Sequence, residues 1–151
     1  MTGAGIARAI IDAQSFMTLA TADEAGVPWA SPVWFATEDY RDLYWVSSPT
    51  SRHSRNLAVR PELSIVVFDS AATPNVVQAV YVEARAALVA DADLEGGLGV
   101  FSRASVRAAI GEWTRGRVTG AAHLRLYRAT ATAHHILDPD AATDTRMAVS
   151  L

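Results

Sequence analysis

A mainly β domain, a small barrel with peripheral helices, is what this sequence predicts, and three observations carry it. Short runs of strand-forming residues follow one another between turn signals; one of them, LSIVVF, is almost wholly apolar; helical spacing is confined to three stretches. A chain so rich in strands hides its sheet edges best by closing the sheet, so a barrel is expected before a sandwich. With 151 residues, 50% of them hydrophobic, and no long apolar run, one soluble domain over residues 1–151 is expected.

The elements follow in order. MTGAGIARAIIDAQ reads as an amphipathic helix with Ile6, Ile10 and Ile11 on its buried face. It lacks the basic stretch and continuous apolar run of an export signal, so the cytoplasm is the default location. Phe16–Ala22 is a first strand, Asp23-Glu24-Ala25-Gly26 a turn, and Val27–Ala36 a second strand, together a hairpin. Pro32 falls inside the second strand. Proline has no N–H to give a ladder, so this position belongs at an edge or a bulge, where free backbone meets a ligand or simply protects the edge.

A turn over Thr37–Arg41 leads to a third strand, Asp42–Ser47. Leu63–Phe68 reads as a central strand buried on both faces, and Gln78–Ala90 as a long one with Val80, Val82, Ala84, Ala86 and Leu88 on one face. Asp91–Gly99 is acidic and contains glycines; Phe101–Trp113 has helical spacing through Val106 and Ile110 and suits a crossover. Leu124–Leu137 is the last strand. The Pro/Asp/Thr-rich tail after it is expected to be ordered only against a partner.

The segment richest in chemistry is Val46–Pro61, VSSPTSRHSRNLAVRP. Leu43–Val46 ends a strand, Pro49 breaks it, and Thr50 or Ser51 can cap a helix running through Leu57 to Val59. Unpaired N–H groups and the positive end of the helix dipole then face a loop carrying the hydroxyls of Ser47, Ser48, Thr50 and Ser51 and the guanidinium of Arg52. Such a loop suits a phosphate monoester. An ordinary cap flanked by solvated arginines is the competing reading of the same residues.

Composition narrows the partners. A net charge of −3 and a pI of about 5.7 provide no drive toward nucleic acid or an anionic membrane, so a basic feature must act locally, as a pocket for a small anion. No cysteine is present, which removes disulfides and thiol chemistry. All 13 basic residues are arginines. Without lysine there is no Schiff-base cofactor enzyme, no lysine nucleophile and no Walker-type phosphate loop. His134 and His135 are neighbours on a strand and point to opposite faces, so they cannot share a metal; no metal ligand and no catalytic acid or base is assigned. Of the tryptophans, Trp29 and Trp45 suit a barrel wall, and Trp34, beside the interrupted edge, is best placed to touch a ligand.

Three stretches carry a resemblance. GVPWASPVWFA, LYWVSSPTSRHSRNLAVRPELSIVVF and YVEARAALV resemble the FMN-binding split β-barrel proteins of the pyridoxamine 5′-phosphate oxidase-like superfamily. The likeness covers residues 12 to 90 well and the last strand more loosely. Its most specific part is a strand ending in small hydroxyl residues, a Ser-Arg-Lys-like triplet opening a helix, Asn-Leu one turn on, and a proline before an apolar strand. Here these are Ser47, Ser51-Arg52-His53, Asn56-Leu57 and Pro61.

The resemblance implies a split barrel that holds FMN. Ser31, Pro32, Val33 and Trp34 would lie along the flavin ring with their backbone, and Ser47, Ser48, Ser51, Arg52, His53 and Asn56 would make up the phosphate end; a protonated His53 would add charge there. It also implies a homodimer with the flavin between subunits, and residues near Trp113 or Arg146 reaching the partner's cofactor. This sequence departs from the vitamin-phosphate oxidases of the family. They carry arginine and lysine where Ser31 and Ala36 stand and lysine in place of His53, and they end on paired arginines where this chain has Arg146 alone. A general flavin reductase or oxidase with a small-molecule substrate is therefore expected. Two alternatives share the fold: a deazaflavin reductase, which the lysine-free, alanine- and arginine-rich composition suits, and a flavin- or haem-binding protein without turnover.

Overall fold

A computed structural model describes residues 1–74 and 78–151. Among them are three α-helices, α1 (Gly3–Ala13), α2 (Arg52–Val59) and α3 (Leu94–Arg107). The strands are β1 (Phe16–Ala22), β2 (Pro28–Trp34), β3 (Asp42–Ser47), β4 (Glu62–Phe68), β5 (Ala79–Leu88), β6 (Arg125–Leu137) and β7 (Arg146–Val149). All pairings are antiparallel, in the order β2-β1-β4-β5-β6-β3, with β7 on β6. The two ends of this path, β2 and β3, meet at one bridge, where Ala36 and Tyr44 exchange N–H to O bonds of 3.0 and 2.8 Å. The sheet curls as a barrel wall does, but no ladder closes it: the barrel is split.

Alternation along each strand builds the interior. Met17, Leu19, Val33, Leu43, Trp45, Ile65, Val67, Val80, Val82, Tyr127, Ala129 and Ile136 point inward, and Ala7 and Ile11 of α1 and Leu57 of α2 join the same cluster. Trp45 stacks on Tyr127, with ring centroids 5.6 Å apart. A second cluster lies on the outside of β3 and β6, where Leu94, Leu98 and Phe101 of α3 cover Ala36, Tyr44 and Leu126. That helix comes close because of Gly97: a Cβ there would sit 2.8 Å from Tyr44 Cε1 and 3.1 Å from Leu126 Cδ2.

Four expectations change. LSIVVF is central, between β1 and β5, but it is buried on one face only, and Val66 and Phe68 look outward; β3 is the strand covered on both sides. The crossover helix begins at Leu94, thirteen residues before its end at Arg107, and buries Leu94, Gly97, Leu98 and Phe101, while Val106 and Ile110 are exposed. Of the glycines in this stretch, Gly97 serves close packing. The tail is ordered within the chain: β7 pairs with the end of β6, and Met147 and Val149 pack on the core. Leu88, placed with the inward residues of its strand, lies past the core and is exposed.

Candidate functional site

The site forms where β3 runs into α2. Ser47 ends β3, and after Pro49 the chain turns so that Ser51, in extended conformation, becomes the N-cap. Its Oγ accepts from Ser54 N at 3.3 Å and donates to Ser54 Oγ at 2.7 Å. Ser48 Oγ meets Thr50 Oγ1 at 2.9 Å and accepts from Thr50 N at 3.2 Å. No acidic residue occupies the first turn of α2, so the positive end of the helix is not neutralised from within.

Arg52, the first residue of α2 after the Ser51 cap, is exposed, with its guanidinium 4.3 Å from the ring centroid of Trp29 on β2, and forms no ion pair among the described residues. His53 points the other way. Its ring is buried, at 8% exposure, with Nε2 2.7 Å from Ser47 Oγ and 3.2 Å from Ser51 Oγ. Burial pushes its pKa down, so near neutral pH the ring is uncharged. The positive charge at this end of the site is that of arginine, and His53 contributes hydrogen bonds.

Asn56 is also inside. Its Nδ2 donates to Thr21 Oγ1 at 3.0 Å, and Thr21 Oγ1 donates to the Trp29 carbonyl at 3.3 Å, so one relay ties α2 to β1 and β2. Arg60 adds a second tie at the hairpin turn, donating to the carbonyls of Asp23 at 2.7 Å and Glu24 at 3.0 Å. Neither tie has a local signature: the partners are 35 to 37 residues apart. A cavity of about 310 Å³ between α2 and this turn is lined by Asp23, Glu24, Arg52, Arg55, Asn56 and Val59, and its two carboxylates make it a poor seat for a dianion.

Among the described strands β2 is an edge strand paired with β1 alone, and Pro32, opposite Thr18, is exposed on it. Trp29, Ser31 and Val33 share the face of Thr21, Leu19 and Met17. Pro32 and Trp34 turn to the other face, and the Trp34 ring packs edge-on against Phe101 at 5.2 Å. Trp34 is thus engaged by α3, and Trp29, expected in the wall, is the tryptophan left 41% exposed beside Arg52. Ser47, Ser48, Ser51, Arg52 and His53 come together; Ser31, Pro32 and Val33 follow the neighbouring edge; the Trp34 and Asn56 side chains stand apart.

Histidine placement is equally specific. His134 faces inward, with Nε2 2.9 Å from the Tyr40 carbonyl oxygen. His135 faces outward in a row across the sheet with Pro32, Thr18, Val66, Tyr81 and Ala148, and Arg146 lies over the Tyr81 ring at 4.4 Å. Among the described residues no group of three His, Asp or Glu side chains is set to hold a metal ion, and no helix is long and apolar enough to cross a membrane.

The family model described as pyridoxamine 5′-phosphate oxidase matches residues 6–135. The chain belongs to that family. Solved structures agree on the fold. A haem-binding protein from Mycobacterium smegmatis superposes with a TM-score of 0.74 at 19% identity, over 98% of this chain and 58% of that one. The chain thus spans little more than half of the mycobacterial protein. The haem storage protein HutZ from Vibrio cholerae gives 0.65 at 20% identity, over 87% of this chain and 91% of that one. An F420 reductase gives 0.61 at 19% identity, over 85% and 94%. No curated protein matches the sequence. Proteins that share this fold therefore differ in what their names say they bind.

Proposed function

We propose that the chain is an FMN-dependent oxidoreductase acting on a small organic molecule, with the flavin held between two copies of the chain. One observation carries this reading: Arg52, which forms no ion pair among the described residues, directly follows the Ser51 cap at the un-neutralised start of α2, where the Ser47, Ser48, Thr50 and Ser51 hydroxyls gather, and lies over Trp29 of the edge strand β2. Those groups fit a phosphate dianion, with the guanidinium as a forked donor and the helix N-terminus as a field. Backbone N–H and C=O groups on the free side of β2 can meet the edge of a flavin ring. The flavin supplies the hydride chemistry, and this chain supplies position, exclusion of water and hydrogen bonds. Ser31, Ala36 and His53 stand where the vitamin-phosphate oxidases carry cationic residues, which argues for another substrate.

The dimer has a surface to use. The outer face of β2, β1 and β4 exposes Phe16 at 59% and Phe68 at 41% together with Ala20, Ala30 and Pro32. Cavities of about 410 and 610 Å³ lie open on it. Exposed apolar side chains grouped on one face suit contact with a second copy.

Arg52→Ala tests the phosphate assignment. Loss of a charge-assisted contact costs about 1.5–3 kcal/mol, so FMN should bind roughly ten- to a hundredfold more weakly by fluorescence titration, with the melting temperature nearly unchanged. Unchanged FMN affinity would refute the assignment.

A second reading, haem binding without turnover, is favoured by His135. Its imidazole is on the outer face with no hydrogen bond among the described residues, next to Tyr81, over which Arg146 lies with Asp144 Oδ1 3.7 Å from its guanidinium. Two of the neighbours above are named for haem. A Soret band on haem addition that His135→Ala abolishes would support it, whereas yellow protein with flavin absorbance supports the first reading. Colourless protein that takes up added deazaflavin would support the reductase alternative, in keeping with the likeness to the F420 reductase.

A further inference from the structure

The phosphate end has no lysine, and the residue in that place is a buried imidazole whose Nε2 lies between two hydroxyl oxygens, Ser47 Oγ at 2.7 Å and Ser51 Oγ at 3.2 Å. Which partner supplies the hydrogen can be worked out from the neighbours. Ser51 donates its hydroxyl hydrogen to Ser54 Oγ at 2.7 Å, so at the Ser51 to His53 contact the ring must be the donor. Among the described residues the other ring nitrogen, Nδ1, has no hydrogen-bond partner. A neutral imidazole has one N–H, and here both oxygens that can accept it are at Nε2.

We propose that His53 is a positioning residue of this cradle: held as the Nε2–H tautomer, its one N–H lies between Ser51 Oγ and the nearer Ser47 Oγ, so that Ser47 does not spend its own hydrogen on the ring and can turn it to a phosphoryl oxygen of the bound monoester. That role rests on the FMN reading above. Ser47 ends β3 and is 9% exposed; by the same accounting its hydrogen rests, in the free chain, on Ser51 Oγ at 3.3 Å, a long contact that a charged phosphoryl oxygen would displace. Without the ring, Ser47 would be free to turn its hydrogen inward and offer the ligand a lone pair. Two oxygens facing each other without a hydrogen between them repel, so the direction of this one O–H decides whether the site attracts phosphate.

The test compares FMN with riboflavin, which lacks the phosphate, in the wild type, His53→Gln, His53→Leu, Ser47→Ala and the Ser47→Ala/His53→Leu double variant. Glutamine keeps an amide N–H near the position of Nε2; leucine removes it. The ratio of FMN to riboflavin affinity should fall about tenfold in His53→Leu and in Ser47→Ala, with no further fall in the double variant, and stay within about threefold in His53→Gln. A change in fold stability alone would weaken both ligands and leave the ratio unmoved. An unaltered ratio in His53→Leu, or a fall in His53→Gln as large as in His53→Leu, overturns the role. Nitrogen-15 NMR of the ligand-free wild type reads the tautomer directly: a proton on Nε2 is expected, and a proton on Nδ1 overturns the assignment whatever the flavin results. Wild-type protein that binds neither flavin while keeping the Nε2–H signal overturns the FMN reading and, with it, the phosphate role, but not the tautomer.

Discussion

His53 and His134 are both enclosed by the fold, the first against two hydroxyls and the second against the Tyr40 carbonyl, and the loss of water around them favours the uncharged ring. Burial lowers the pKa of each from the ordinary imidazole value of 6.5. For His134, the carbonyl hydrogen bond works in the opposite direction and His135 nearby in the same one, with burial the larger effect. The sign for stability follows. Below about pH 6.5 the unfolded chain takes up protons that these two rings resist in the folded state, so stability falls as pH drops from that value toward the lowered ones. The melting temperature should therefore be lower at about pH 5.5 than at about pH 7.5, with a smaller drop in His53→Gln and His134→Gln; a flat or rising profile would contradict it. Glu38, whose pKa is lowered chiefly by its hydrogen bonds to Arg103, is already ionised in this window and adds nothing to the slope.

Among the elements, α3 shows how much one position can decide. Leu94, Leu98 and Phe101 recur at helical spacing, and Phe101 is gripped edge-on by Trp34 at 5.2 Å and Trp113 at 5.4 Å. Gly97 lies on the same face, directly over Tyr44 and Leu126. Gly97→Ala raises helix propensity by about 1 kcal/mol, but the new methyl meets a buried aromatic ring that is itself packed. Overpacking of this kind costs about 1–3 kcal/mol, so we expect urea unfolding to show net destabilisation. Gly96→Ala, where nothing lies within 4 Å of the added carbon, should stabilise instead. Equal effects from the two substitutions would mean that α3 does not rest on β3 through Gly97. Helical spacing was legible only from Phe101 on, because glycine is a breaker by local propensity and the use of Gly97 for close approach is visible only when Tyr44 lies opposite.

At the scale of the molecule, one face of the sheet is covered by α1 and folded inward, and β2, β1 and β4 leave their other face open. The alternation of LSIVVF with residues apolar on both sides was legible, but its explanation was not burial within the chain. Ile65 and Val67 fill the barrel, whereas Val66 and Phe68 belong to the outer surface. If that surface joins two copies, Phe16→Asp and Phe68→Asp should convert the dimer to a folded monomer in sedimentation velocity and weaken FMN retention together, since charge in an apolar interface is strongly disfavoured. A wild-type chain that sediments as a monomer at micromolar concentration would remove the dimer from the proposal.

Strand, turn and cap signals are local and legible in the sequence: the Phe16–Ala22 hairpin strand, an edge or bulge at Pro32, a cap at Thr50 or Ser51 and the helix behind it all depend on spacing within a few residues, and the structure settles on the edge and on Ser51. The family was legible for the same reason, because its motif runs through one continuous segment. Tertiary structure decided what lies across the chain: that Asn56 holds Thr21 from 35 residues away, that Trp29 and not Trp34 is the exposed tryptophan, that the tail returns as β7, and that the inner side of His53 is buried against Ser47. Propensity acts between neighbours along the chain, whereas a side chain's partner is set by strand register and by which helix covers which face.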